Sequence, residues 1–394
     1  MNQASKLIIS LLVLLSIWEF VIPPPFLLKI VVVFLFPFLL VKYPFHNKHA
    51  LIIFISLIIW YVYGWISLGW SVGGSERITS FKVNYFITFC FIICIISAFK
   101  TKKLFEFALK LLFYNGLIIL LFAFAEFVLH RYFFYQDTDI FYADAGWYIP
   151  LVNQKGPNEF VAELVALYIF GLIYLTKKNF KPILRYTFIL SYGITIFITD
   201  SRSGLLAFIA VSTVFFTLNK QYKVVKVLLV AGLALFLVVI GLNFASVGAS
   251  IETEPRYLIW LNYLDKFAAS GYRGIGWASI GEDNTGAYHK MVEGNIHNYF
   301  LEVLVEVGFI GLICFLYLYG YVLTKSYSLY KKSHKMNTDF LYLFLFAIGF
   351  ALTSIGPSSM RQLNDMWLFL GISIAYCIMN EKDNKLVNRR KKYS

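Results

Sequence analysis

Long apolar runs separated by short polar segments dominate this chain. Each run is close to the roughly 20 residues that a helix needs to cross a bilayer. The runs lie at 7–23, 26–42, 50–70, 84–100, 108–130, 158–176, 183–200, 203–218, 226–243, 299–325, 340–357 and 364–380. This pattern predicts an all-α, polytopic membrane protein with about twelve transmembrane helices, forming a single integral membrane domain over residues 1–394.

The composition supports a membrane protein without a large soluble core. Apolar residues make up 59% of the chain, charged residues only 14%, and the mean hydropathy is +0.69. Soluble domains carry about 25% charged residues. The first run meets Pro23-Pro24-Pro25 and lacks a small-residue cleavage site, so we expect a retained first span and not a removed signal peptide.

The net charge of +13 is a topology signal. If the N-terminus is cytoplasmic, 22 of the 35 basic residues fall on the cytoplasmic face, scattered over short loops and the C-terminal tail. This is the positive-inside bias. It predicts that both termini are cytoplasmic and argues against a nucleic-acid partner.

The four cysteines all fall inside apolar runs, so no disulfide is expected on the external face. Cys90 and Cys94 share a helical face, but no histidine is near them in sequence. A zinc site needs such ligands in combination. Packing as small apolar residues is the better interpretation.

Two predicted outer loops, 131–157 and 244–298, are too long to be simple turns. In the second, Thr253-Glu254-Pro255 is typical of a helix start. Five apolar residues then recur at helical spacing: Tyr257, Trp260, Leu261, Leu264 and Phe267. We expect a short amphipathic helix lying on the outer membrane interface, ended by a flexible glycine-containing turn over residues 271–277.

Three spans that begin at the predicted outer surface start with polar residues. The starts are Gly156-Pro157-Asn158, Asp200-Ser201-Arg202-Ser203-Gly204 and His297-Asn298. A helix N-terminus offers unpaired N–H groups and a positive dipole end, and arginine beside it favours phosphate. If these starts converge, Arg202 and Arg256 could hold the diphosphate of a polyprenyl lipid whose tail stays in the membrane.

His297 supplies the group that can move a proton near neutral pH. A neutral imidazole can make a hydroxyl nucleophilic, and fixed arginines can stabilise a leaving diphosphate without a metal. The alternative is that His297 only anchors a helix end, and that the two arginines are ordinary interfacial or solvated residues.

Several motifs occur in a fixed order between residues 185 and 320. They are Ser201-Arg202-Ser203-Gly204, Arg256 four residues before Trp260, Gly274-x-Gly276, His297-Asn298-x-x-Leu301-Glu302, and Glu306-x-Gly308-x-x-Gly311. Together they resemble the O-antigen ligase and polymerase superfamily, with a catalytic region over 185–320 that includes the external loop 244–298. Ser203 departs from the pattern, where glycine is more usual.

The resemblance implies a metal-independent, inverting glycosyltransferase of the GT-C class that needs no cofactor. Such enzymes move a glycan from an undecaprenyl-diphosphate carrier to an acceptor glycan on the outer face of the bacterial inner membrane. Arg202 and Arg256 would bind the donor diphosphate, and His297 would act on the acceptor hydroxyl. The acceptor would be lipid A core for an O-antigen ligase of lipopolysaccharide biosynthesis, or another repeat unit for a polymerase.

The His-Asn run leans narrowly towards the ligase. A flippase that carries the lipid-linked glycan without making bonds is the alternative of another class. It should show charged residues along a path across the membrane, whereas the notable polar groups here collect at one face.

Further residues are candidates for supporting roles: Asn158, Arg273, Asn298, Glu302 and Glu306. The two glutamates are four apart, so they share a helical face, and carboxylates inside a span usually face a cavity or a partner. A structural pairing with outer-loop arginines is favoured over direct catalysis. Helix capping is the ordinary alternative for Asn158.

Two other outer segments carry candidate residues. Arg361 lies at the outer mouth of the last span and is a weaker candidate for the same site. Asp137-Thr138-Asp139 resembles a metal and nucleotide-sugar motif, but on the outer side a solvated loop is the favoured interpretation.

Overall fold

The computed structural model describes residues 3–18, 26–73, 75–133, 157–199, 201–218, 255–280, 296, 298–333, 338–354 and 364–393, with a few isolated positions between 221 and 230. Every regular secondary-structure element within these residues is a helix, which confirms the predicted all-α class.

Twelve helices of the described residues are numbered here in chain order. Their bounds are α1 Gln3–Ile17, α2 Phe26–Leu40, α3 Lys48–Ser67, α4 Ser75–Ala98, α5 Lys102–Phe133, α6 Pro157–Lys177, α7 Pro182–Ile198, α8 Arg202–Leu218, α9 Pro255–Ala269, α10 Tyr299–Lys332, α11 Thr338–Thr353 and α12 Asn364–Tyr393. A 3-10 turn, Leu68–Trp70, extends α3.

Four segments of the described chain are long and apolar enough to cross a membrane: Lys48–Trp70, Lys102–Ala125, Asn158–Lys177 and Tyr299–Lys332. Shorter apolar helices accompany them, among them α1, α7, α8 and α11. The ninth expected span, 226–243, lies mostly outside the described residues, so the number of twelve spans stays a prediction.

One end of the helix bundle is held by buried carboxylates. Asp339, at the start of α11, accepts a hydrogen bond of 2.6 Å from Lys177 Nζ at the end of α6 and one of 2.8 Å from the Tyr376 hydroxyl. Glu381 of α12 forms an ion pair with Lys325 of α10, and His49 Nε2 lies 3.6 Å from the same carboxylate oxygen. We call this the ion-pair end.

The opposite end is where α2, α4, α6, α8, α10 and α12 begin. Because it carries the motifs of residues 201–204 and 298–311, we call it the motif end. Helix α6 runs through the centre of the bundle, with 89% of its span buried. It packs against α5, α8 and α11, so its first turn lies between the starts of the helices that carry the motifs.

All four cysteines are free and buried in the helix bundle. This agrees with the interpretation that they are packing residues. Cys94 Sγ lies 3.9 Å from the carbonyl oxygen of Val32, so it contacts α2 from α4.

Candidate functional site

The starts of α6 and α8 are joined at the motif end by a side-chain hydrogen bond. The Ser201 hydroxyl donates to Asn158 Oδ1 over 3.0 Å. Three residues later, a Cβ on Gly204 would lie only 1.8 Å from Val161 Cγ1, so glycine lets the two helices approach closely. Arg202, the first residue of α8, is therefore placed beside Asn158 with its side chain exposed.

The start of α10 is fixed by a cap and by a neighbouring helix. The Asn298 side chain accepts hydrogen bonds from the backbone N–H groups of Phe300 at 3.1 Å and Leu301 at 3.2 Å. The N–H of Tyr299 donates to the carbonyl oxygen of Ser354, just after the end of α11. In this structure Asn298 is the N-cap of α10, which gives it a structural role in addition to any contact with substrate.

The amphipathic helix predicted in the long loop is α9, and one of its faces is covered by protein. Ile259, Tyr263 and Phe267 form a buried cluster with Ile296 and with Val305 of α10. Of the five apolar residues that predicted this helix, Phe267 lies in the buried cluster and Leu264 is 39% exposed, so the buried face differs from the predicted one; a position at the outer membrane interface stays a prediction.

A hydrogen bond also relates α9 to the residue before the histidine motif. The indole Nε1 of Trp260 donates to the carbonyl oxygen of Ile296 over 2.7 Å. Arg256 is the second residue of α9, one helical turn before Trp260, so the two positions share a helix face. His297 lies outside the described residues, and so does the side chain of Arg256. Whether both reach the same ligand as Arg202 stays a prediction.

Helix α10 is interrupted at Gly308, where φ is 68° and ψ is −167°. Such a residue cannot continue the helical hydrogen-bond ladder, and the carbonyl groups of the preceding turn need other donors. The loop after α9 supplies them. The N–H of Ile275 donates to the carbonyl of Val305 at 2.8 Å, and that of Gly276 to the carbonyl of Glu306 at 3.0 Å.

The two glycine motifs therefore form the two sides of one close backbone contact. A Cβ on Gly274 would lie 2.5 Å from the carbonyl oxygen of Glu306, and one on Gly308 would lie 2.5 Å from the backbone carbonyl of Arg273. Both residues also have positive φ. Close approach of two backbones requires glycine on each side, and these motifs join the external loop to α10.

The segment 271–277 is not the flexible turn that its glycines predicted. Trp277 is fully buried and stacks on Tyr85 with ring centroids 4.1 Å apart. Gly64 of α3 makes room for the indole, since a Cβ there would lie 2.0 Å from the ring. The N–H of Trp277 donates to the Ser67 hydroxyl at 3.1 Å. Sequence reasoning missed this because the partners lie between 192 and 213 residues earlier in the chain.

Arg273 lies against the break in α10 and not at the start of that helix. Its guanidinium is 4.8 Å from the centroid of the Trp70 ring, and its carbonyl accepts a hydrogen bond from the Tyr63 hydroxyl. It follows the end of α9, whereas Arg256 is near its start, about 20 Å away along the helix axis. The structure therefore places Arg273 apart from the Arg256 end of α9.

Several carboxylates lie inside the helix bundle near the motif end. Glu302 and Glu306 are both buried, as their shared helical face suggested. The buried phenol of Tyr299 is within electrostatic range of Glu302, of Glu159 from α6 and of Asp365 from α12. Three helix starts thus bring acidic groups to one place.

Sequence reasoning overlooked the acidic residues of α6 and α12. Glu163 is 0% exposed in the middle of an apolar span. The signal was available, because a carboxylate inside a transmembrane segment is costly and marks a functional or paired position.

Other candidates fall outside what the structure describes. Asp137, Asp139 and Arg361 are among them. Within the described ranges, no group of three or more histidine, cysteine, aspartate or glutamate side chains is arranged to hold a metal ion.

A family model and a curated protein are similar to parts of this chain. Residues 186–316 match the family model described as O-antigen ligase. The teichuronic acid biosynthesis protein TuaE of Bacillus subtilis (strain 168) is 25% identical over 204 residues, which cover 46% of this chain and 41% of the relative. The alignment thus spans about two fifths of the relative's length.

Proposed function

Since the match over residues 186–316 supports membership of the O-antigen ligase and polymerase superfamily, we propose that this chain is a glycosyltransferase acting at its motif end. The donor is a glycan on undecaprenyl diphosphate, and the acceptor is a second glycan. The reaction takes place on the outer face of the bacterial inner membrane, with both termini in the cytoplasm.

The observation that carries the proposal is the hydrogen bond from Trp260 to the carbonyl of Ile296. It ties the helix that bears Arg256 to the residue directly before His297. The capped start of α10 follows directly after His297. This hydrogen bond supports a site formed by the histidine motif and one arginine motif, which are 41 residues apart in sequence.

The proposed chemistry is a single displacement at the anomeric carbon. His297 takes the proton of the acceptor hydroxyl, whose oxygen forms the new glycosidic bond as the bond from carbon to the diphosphate oxygen breaks. Arg202 and Arg256 stabilise the negative charge that grows on the leaving undecaprenyl diphosphate. One displacement inverts the configuration. Positioned general-base catalysis typically contributes about 10²–10⁴-fold to the rate.

The name of the relative favours one version of this reaction. TuaE is named for teichuronic acid biosynthesis and not for lipopolysaccharide. That supports the repeat-unit polymerase as second candidate, against the narrow lean of the His-Asn run towards the ligase. The flippase alternative is disfavoured because the motif residues that the structure describes gather at one end of the bundle.

Reconstitution separates these versions. Purified protein in proteoliposomes receives a lipid-diphosphate glycan together with either a lipid A core acceptor or no acceptor other than the donor itself. Transfer to the core indicates a ligase, lengthening of the donor glycan a polymerase, and movement between leaflets without new bonds a flippase. The last result would refute the enzymatic proposal.

Variants test the assigned roles in the same assay. His297→Ala should lower turnover by about 10²–10⁴-fold, whereas His46→Ala, at an exposed position in the loop before α3, should keep wild-type rates. Arg202→Ala and Arg256→Ala should weaken donor binding. The matched control is Arg185→Ala, whose guanidinium donates to Asn179 near the ion-pair end. Unchanged donor affinity in both arginine variants would contradict the diphosphate role.

Metal independence is tested by chelation. We expect full activity in excess EDTA, because fixed guanidinium groups supply the positive charge. Loss of activity that Mn²⁺ restores would overturn that part of the proposal.

A further inference from the structure

Trp260 makes a hydrogen bond to the backbone directly before the histidine motif. The indole Nε1 lies 2.7 Å from the carbonyl oxygen of Ile296, at the short end of the usual range for N–H···O bonds. Ile296 is 0% exposed and belongs to the buried cluster that contains Ile259 and Tyr263 of α9 and Val305 of α10. A buried carbonyl needs a donor, and here a side chain of α9 supplies it.

The residue after the histidine is held as well. The Asn298 side chain caps α10, and the Asn298 carbonyl accepts a hydrogen bond of 2.8 Å from the N–H of Glu302. The N–H of Tyr299 donates to the carbonyl of Ser354 over 3.2 Å. His297 itself lies outside the described residues, but its neighbours on both sides have defined contacts.

Contacts of the neighbours restrict the histidine through covalent geometry. The carbonyl of Ile296 and the N–H of His297 belong to one planar peptide group, so a donor held on that oxygen limits rotation of the plane. Consecutive Cα atoms are about 3.8 Å apart across a trans peptide bond. Because Ile296 and Asn298 are both held, little freedom is left for the Cα atom between them, from which the imidazole extends.

We propose that Trp260 is a positioning residue for His297. The proposal rests on the proposed function, since it takes His297 as the general base. The indole acts through the backbone of the histidine and holds it against α9, the helix that also bears Arg256. A displacement of a catalytic group by about 1 Å can cost about 10²-fold in rate. The hydrogen bond therefore contributes to turnover, whereas donor binding depends on the arginines.

Two substitutions test this in the reconstituted transfer assay with the full-length protein. Trp260→Phe removes the N–H and part of the ring. Trp260→benzothienylalanine, introduced by codon suppression, keeps the shape of the ring and replaces only the N–H by sulfur, so it serves even if the first variant folds poorly. Both should lower kcat by about 10–100-fold. KM for the donor should stay unchanged, because the buried residues Ile259, Tyr263 and Phe267 still hold α9 in place.

A second background separates positioning from a general loss of structure. In His297→Ala, the group to be positioned is gone, so Trp260→benzothienylalanine should cause no further fall in kcat. Residues that act as a unit are non-additive in this way. A residue that only stabilises the fold would lower kcat by the same factor in both backgrounds.

The chain offers a matched control in Trp18. Its indole Nε1 donates to Asn115 Oδ1 over 2.7 Å and joins the end of α1 to α5. Trp18→benzothienylalanine loses an indole hydrogen bond of the same length at another place. It should keep the wild-type kcat.

Three results would overturn the positioning role. They are an unchanged kcat in both Trp260 variants, an equal fall in the Trp18 control, and an equal further fall in the His297→Ala background. Each of them, found together with a defective His297→Ala, leaves the proposed function standing. Wild-type turnover in His297→Ala alone would instead remove the general base, and both proposals with it.

Discussion

Replacement of Gly308 by alanine tests how the external loop is joined to α10. The glycine has φ 68° and ψ −167°, a region that residues with a side chain scarcely populate. Its new Cβ would lie 2.5 Å from the backbone carbonyl carbon and oxygen of Arg273 and 2.9 Å from the carbonyl oxygen of Tyr272. Both obstacles are backbone, so neither can turn aside as a flexible side chain would.

The magnitude follows from these two costs. The backbone conformation costs about 1–3 kcal/mol for a non-glycine residue, and overpacking against fixed atoms costs a further 1–3 kcal/mol or so. We take roughly 3–4 kcal/mol for their sum. Since 1.4 kcal/mol corresponds to a tenfold change, the equilibrium constant for docking of the loop should fall by about 10²–10³-fold.

Hydrogen exchange measures this equilibrium directly. The amides of Ile275 and Gly276 donate to the carbonyls of Val305 and Glu306, so they are protected only while the loop is docked. In Gly308→Ala, peptides covering residues 271–280 should exchange about 10²–10³-fold faster, as expected from the undocking equilibrium.

Gly320→Ala is the matched control on the same helix, because no atom lies within 4 Å of its added Cβ. Alanine in a helix interior should leave the loop protected and stabilise the helix by about 0.5–1 kcal/mol. If Gly308→Ala exchanged like Gly320→Ala, the account of the helix break would be refuted.

Three further substitutions test the contacts that hold the ends of the bundle, each by thermal unfolding in detergent. Asn298→Ala removes the cap of α10 and should destabilise the protein by about 1 kcal/mol; an unchanged midpoint would contradict the capping role. Ser201→Ala breaks the bond to Asn158 and should cost about 1 kcal/mol, an effect that must vanish if Asn158 is already alanine. Glu381→Ala leaves Lys325 without its buried partner and should cost roughly 3 kcal/mol. A loss of unfolding free energy no larger than that of Ser201→Ala would contradict the expected cost of leaving Lys325 without its partner.

Much of the architecture can be predicted from the local sequence. The lengths of the apolar runs predicted helices such as α3, α6 and α10, because crossing a bilayer fixes both length and polarity. The proline and asparagine at the start of α6 and the asparagine before α10 are local signals of the same kind. These features depend on neighbours within a few residues.

The docking of the external loop could not be predicted in this way. The local sequence predicts that Gly308 lies inside a continuous helix and that Trp277 lies in a polar loop. Their actual environments depend on Gly274 and on Gly64, which are distant in sequence. The two glycine motifs are part of the family resemblance, but the sequence does not show that they form the two sides of one backbone contact.

The candidate site was predictable in part. The sequence placed Asn158, Arg202 and Asn298 at helix starts, and the structure brings the first two together. It did not indicate Glu163, which is buried within α6. The run 158–176 carries two carboxylates near its start, Glu159 and Glu163, but the sequence does not show which groups on other helices lie beside them.

The most direct test of the central claim is a distance measurement across the proposed site. Cysteine pairs 202/297 and 256/297 are treated in proteoliposomes with an outside-applied bismaleimide whose reach is about 10–15 Å, roughly one interhelical spacing or a little more. The four native cysteines are buried and should not compete. The account predicts cross-links in both pairs. Labelling of every single cysteine without a cross-link in 202/297 and 256/297 would contradict a shared, outward-facing site.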